Sequence, residues 1–336
     1  MRAVHHTKNF FVALYHLFIA AGKGFSEDRV TKLSASLAYY TIFALTPLII
    51  IIISAASIFF SNKLNPGTEL FAQISGMVGA EAAKQLQGFV ENANLTGKST
   101  FGLIVGIGTL IVGSTAIFIE IQDSINIIWK VKAIPKKGWK KMITNRLLSF
   151  SLIVSMGFLL LVSLVINSVV VSLGSKLGTL LSNSKVGDLI PVADDTATLL
   201  IYVLNNVITI VAVTAVFTII FKVLPDVDLR WKSAIIGALF TALLFSLGKY
   251  LIGIYIEKGN PGSAFGAASS IIVILLWIYY TSIILYFGAE FTQAYAEKFD
   301  GGIRPSKYAV HTKITIVEEK VDVLPPQHPE ETKVND

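Results

Sequence analysis

The chain has 336 residues, 53% of them hydrophobic and 15% charged, with no cysteine and a formal net charge of +6; its mean hydropathy is +0.67. Soluble domains carry about 25% charged residues, and no single water-facing core of this size could hide half the sequence, so lipid is the implied second solvent. The missing cysteines exclude disulfides, thiolate metal sites and cysteine nucleophiles.

A bilayer core takes about 20 apolar residues of helix. The first apolar run, Phe10–Ala21 (FFVALYHLFIAA), is too short to span and reads as an entry helix lying in the interface. It lacks a small-residue cleavage site, so no cleavable signal peptide is expected. Six longer stretches qualify as spans: Ser34–Phe60, Phe101–Ile121, Leu147–Leu173, Thr198–Val223, Ser233–Ile256 and Ala267–Ala289. In lipid a helix alone satisfies its own backbone, so even β-branched runs such as Leu48–Ile53 read as helix. Between the first two spans, Leu70, Ile74, Met77, Val78, Leu86, Phe89 and Val90 recur near helical spacing, and Gly76 and Gly79 divide them into two amphipathic pieces. The expected class is therefore all-α: residues 1–33 with the interfacial helix, a six-span domain over 34–290, and a tail over 291–336. From Arg304 onward that tail is polar, carries Pro325, Pro326 and Pro329, and reads as largely disordered. No clear internal repeat is visible.

Lysines and arginines orient the spans. The four segments that would share one side carry 21, the three opposite segments carry 6, and Lys249 lies inside the fifth span. The positive-inside tendency then puts both termini in the cytoplasm.

An ionisable group inside lipid is a functional hypothesis by default. Glu120 and Asp123, three apart on one helix face, stand at the end of the second span, Lys249 lies in the fifth, and Glu290 ends the sixth. They read either as a polar pathway between helices or as anchors that reach water, a lysine by snorkelling. Gln122, Asn167, Asn205 and Asn206 suit interhelical hydrogen bonds. Pro47 removes a backbone donor midway along the first span and kinks it. Gly102 and Gly106 form a small-xxx-small pair suited to close helix packing. Trp277, Tyr279 and Tyr280 fall in mid-span rather than at an interface and suit a cavity wall or plain packing.

Enzyme signatures are missing from the sequence. All five histidines fall outside the spans without metal-ligand spacing, and no GxSxG, Walker or HExxH pattern occurs. No catalytic residue, metal, cofactor or nucleotide is expected. The basic run Lys130, Lys132, Lys136, Lys137, Lys140, Lys141 fits anionic headgroups rather than nucleic acid. Expected partners are membrane lipids, anionic ones included, and envelope proteins. Nothing in the residues fixes an oligomeric state.

Four stretches resemble the YihY/BrkB family of bacterial inner-membrane proteins, once labelled ribonuclease BN: LSASLAYYTIFALTPLI (33–49), IQDSINIIWKV (121–131), LPDVDLRWKSAIIGAL (224–239) and GSAFGAASSIIVILLWIYYTSIILYFGAEFT (262–292). The likeness covers roughly residues 10–300 and leaves the tail after about Lys307 outside. Its motif residues fall here on Tyr39, Tyr40, Pro47, Gln122, Asp123, Asn126, Trp129, Pro225, Trp231, Trp277, Tyr280, Gly288 and Glu290. The resemblance implies a six-span envelope protein, with virulence or serum resistance in some members and lipid or lipopolysaccharide transport suspected in others. It brings no catalytic residues. Two functional classes follow: a transport-type bundle moving or gating an amphiphile, and a scaffold recruiting envelope partners. A membrane-bound ribonuclease is disfavoured, because the residues hold no carboxylate or histidine cluster for metal.

Overall fold

The computed structural model describes residues 2–43, 116–134, 193–259 and 269–313, with isolated positions at 75, 83, 84, 87 and 265. In chain order the elements are α1 (Arg2–Glu27), helical residues 30–43 (α2), helical residues 116–128 (α3), β1 (Val131–Ala133), α4 (Ala193–Val223), β2 (Val227–Asp228), α5 (Trp231–Gly259), α6 (Ser269–Phe299), β3 (Arg304–Pro305) and β4 (Ala309–His311). Helices α4, α5 and α6 each hold a segment long and apolar enough to cross a membrane. The third expected span, most of the first two, Pro47, Asn167 and the Gly102–Gly106 pair lie outside the described residues.

Helix α5 shows which solvent the sequence is built for. Its large side chains Ile235, Leu239, Leu243, Leu247 and Leu251 recur every four residues and are 43–56% exposed. The opposite stripe, Ala234, Gly237, Ala238, Thr241, Ala242 and Gly248, is buried. Small residues inside and leucines outside invert the pattern of a water-soluble helix; they suit a bundle whose exterior is hydrocarbon and whose backbones must approach closely.

Helices α5 and α6 run antiparallel and meet through one pentapeptide used twice, Gly-Ala-x-Phe-Thr at 237–241 and again at 288–292. A Cβ added at Gly237 would overlap the Thr292 hydroxyl, and one at Gly288 would overlap that of Thr241. Phe240 and Phe291, the fourth residues of the two copies, stack at 3.9 Å. Each threonine hydroxyl donates to the glycine carbonyl of its own copy, at 2.7 Å (Thr241) and 2.6 Å (Thr292). The copies are therefore related by a local two-fold axis. Farther along, a Cβ at Gly248 would lie 2.7 Å from Tyr280 and Ile284.

Helix α1 is longer than the apolar run inside it. It packs antiparallel on the last turns of α6: Leu17 and Ala21 are buried with Phe291 and Ala294, and Lys298 Nζ donates to the Ala13 carbonyl. Val12, Tyr15 and Ile19 stay exposed. The chain turns into α2 through Arg29, whose φ is +51°.

Two features differ from the all-α expectation. Strand β1 pairs antiparallel with β4, matching Val131 to His311, and β2 pairs with β3, matching Val227 to Pro305. Residues 304–311, read as the start of a disordered tail, are thus tied to the connections that follow α3 and α4. Their polar side chains stay near solvent while their backbone groups are satisfied by pairing; strands of two or three residues are too short to show an alternating pattern. Gly301 and Gly302, both at positive φ (77° and 89°), turn the chain out of α6.

Candidate functional site

The sequence-chosen residues fall into three places. The first is a cavity of about 360 Å³. It lies between α2 (Leu37, Thr41), α3 (Ile117, Ile121), α4 (Phe217, Ile220) and α6 (Ile274, Trp277, Ile278, Thr281, Ser282, Leu285). Among these lining residues the hydroxyl protons are already committed to carbonyls of their own helices: Thr41 to Leu37 at 2.7 Å, Thr281 to Trp277 at 2.9 Å and Ser282 to Ile278 at 2.8 Å. The wall that remains is apolar. Trp277 separates the cavity from α5, where Phe245 meets it edge-on at 6.1 Å.

The second place is a polar latch at the α3 and α4 ends. Asp226 is 4% exposed. Its Oδ2 accepts from Asn126 Nδ2 at 2.9 Å and from Gln122 Nε2 at 3.0 Å, and its backbone N–H donates to Asn126 Oδ1 at 2.9 Å. Pro225 puts Asp226 there: it cannot extend α4, so the chain leaves the helix and turns back along α3. Three residues on, Trp129 Nε1 donates to the Ala289 carbonyl at 3.1 Å and joins α3 to α6.

The third is a charged junction of α1, α6 and the turn after α3. Glu290 is 4% exposed and its Oε1 has no hydrogen-bond partner. Its carboxylate rests against Gly24, where a Cβ would overlap it. Lys130 pairs with Asp28 beside it. Glu290 does not end its helix, since α6 continues to Phe299.

The remaining candidates are apart from these places. Tyr39 and Tyr40 are exposed and contact each other edge-on, Tyr39 also meeting Phe43 at 5.1 Å. Glu120 is half-buried and Asp123 exposed. Lys249 is half-buried on α5, and Tyr280 packs over Gly248. Pro47 lies outside the described residues. Sequence reasoning passed over Asp226, Asp28 and Gly24. Asp226 sits in the quoted Leu-Pro-Asp turn, and the Pro-Asp pair just past a span was the available signal. Among the described residues, no three His, Asp or Glu side chains gather where they could hold a metal.

Comparison with known proteins matches this chain to one family. The family described as virulence factor BrkB matches residues 21–311, which takes the likeness past Lys307 to the end of β4. A UPF0761 membrane protein of Pseudomonas paraeruginosa is 28% identical over 272 residues, covering 79% of this chain and 59% of its own length. One from Rhodospirillum centenum is 28% identical over 278 residues, with 81% and 56% covered. One from Tolumonas auensis is 26% identical over 285 residues, with 81% and 82% covered. The chain thus spans a little over half the length of the first two relatives and most of the third. No solved structure gives a significant match. Matched over most of its length and carrying apolar helices of membrane-crossing length, the chain belongs to the BrkB family of integral membrane proteins.

Proposed function

We propose that this protein is a six-span protein of the bacterial inner membrane, both termini cytoplasmic, that moves or gates an amphiphile with a hydrocarbon tail and an anionic head. The apolar cavity carries the reading. Its volume corresponds to about a dozen water-sized groups, taking roughly 30 Å³ each, yet its wall offers a water almost no donor. Such a space suits alkyl chain. The leucine stripe of α5 supports a lipid-facing exterior, and the 21-to-6 excess of lysine and arginine on one side supplies the attraction for anionic headgroups. The reading needs no catalytic step, and with no ATP-binding motif in the sequence the driving force is a gradient or a partner.

Ile278→Trp, which fills the cavity from α6, tests it. In liposomes the variant is expected to lose most transbilayer movement of a fluorescent anionic phospholipid while keeping its helix content. An unchanged rate with the cavity filled would overturn the reading.

A further inference from the structure

Two carboxylates and one ammonium meet at the α1–α6 junction, and their charges do not balance. Lys130 pairs with Asp28, whose side chain is 8% exposed. Glu290, at 4% exposure, keeps Oε1 buried and unpartnered. Glu290 rests its carboxylate on Gly24, and the Gly24 carbonyl accepts the backbone N–H of Asp28, so the two acidic residues meet at one turn of the chain. Ionised carboxylates only accept, so neither can bond to the other unless one of them holds a hydrogen. The charged groups around Glu290 are Asp28 from the turn after α1, Lys130 from the turn after α3, and Glu27 at the end of α1, which is exposed to water and outside the buried set. Helix α5 brings Gly237, Phe240 and Thr241 to this stretch of α6, none of them charged. Lys130 offsets one of the two buried carboxylates, and one negative charge is left over. That remainder suits a proton.

The backbone is strained at the same point. Lys130 and Arg29, the neighbour of Asp28, are the non-glycine residues at positive φ among those described, at 55° and 51°. Such conformations persist where surrounding contacts hold them, and they gather at switch regions.

We propose that Asp28 and Glu290 form a binding site for one proton, shared between their carboxyls beside Lys130, and that release of this proton to water loosens α1 from α6. With the proton bound, the junction is neutral: two carboxyls, one hydrogen, one ammonium. Once it leaves, two negative charges face one positive charge across the Gly24 contact, and like charges at this separation in a low-dielectric site repel. Rising pH therefore weakens the junction. The inference is independent of the cavity and of what occupies it.

The test uses the full chain in lipid nanodiscs. Infrared difference spectra across a pH titration are expected to show the carbonyl stretch of a protonated carboxyl at neutral pH, fading as pH rises. Glu290→Gln is expected to abolish that band, and Asp28→Asn to shift or abolish it. Because the chain has no cysteine, spin labels can be placed singly at Gly22→Cys on α1 and Glu297→Cys on α6. Their separation is expected to grow with pH in the otherwise native chain and to stay constant in Glu290→Gln. Should Glu290→Gln fail to fold, Asp28→Asn carries the same two readouts. A missing band at neutral pH, a band unchanged by both substitutions, or a pH-independent separation would each overturn the proposal.

Discussion

Asn126 satisfies both sides of Asp226 at once, its amide nitrogen meeting the carboxylate and its oxygen the backbone N–H. Alanine at this position leaves a buried carboxylate held by Gln122 and the lesser contacts around it. Asn126→Ala is expected to lower stability by about 2 kcal/mol, the range for a lost hydrogen bond to a buried charged group, read as thermal unfolding in detergent. Asn126→Asp is expected to lose more, because it adds a like charge and removes a donor. Part of this latch was legible in the sequence: Gln122 stood out as an amide beside a span, where polar side chains seek partners across helices, and Asn126 came only from the family resemblance. Asp226 did not, because an aspartate in a polar turn looks solvated until the fold buries it. Glu290 was legible for the same reason as the amides. Its neighbours Gly24 and Asp28 were not, since α1 returns to α6 from more than 250 positions away in the chain, and no local pattern records that.

Within the helices, the decisive choice is where side chains are small. Gly237→Ala and Gly288→Ala each drive a methyl into a threonine of the partner helix, and each is expected to cost about 1–3 kcal/mol as overpacking. Gly22→Ala, on α1 with nothing within 4 Å of the new methyl, is expected to be neutral or to gain up to about 1 kcal/mol from helix propensity. Comparing the three melting temperatures separates packing from backbone effects. Length and apolarity mark α4, α5 and α6 as able to cross a membrane, but they do not reveal which face is which, because hydropathy is nearly uniform around such a helix. The distribution of side-chain size carries that information: leucine every fourth residue outside, glycine and alanine opposite. The repeated Gly-Ala-x-Phe-Thr pentapeptide was also present in the sequence. Five residues in separate helices attract notice only once the two-fold contact gives them a common meaning.

Across the whole molecule, the two short ribbons tie the end of the chain to the connections after α3 and α4. A chain ending after Gly302 loses β3 and β4 and leaves β1 and β2 unpaired, whereas one ending after Lys313 keeps both ribbons. The shorter truncation is expected to unfold at a clearly lower temperature than the full chain, and the longer one to match it. The longer end point, after Lys313, also marks where a scaffolding role for the tail can be tested without damaging the fold, which a cut at Arg304 would not allow. The ribbons were invisible in the sequence because each pairs segments about 80 or 180 positions apart through two or three residues. Their sequence positions have one more consequence. The ribosome makes β1 and β2 long before their mates, so during synthesis both wait with open edges until α6 has been inserted. Closing the ribbons is then a late event that only a completely threaded polypeptide can reach. A chain stalled short of it displays bare strand edges, the kind of surface that invites mispairing and marks unfinished protein for a quality-control protease.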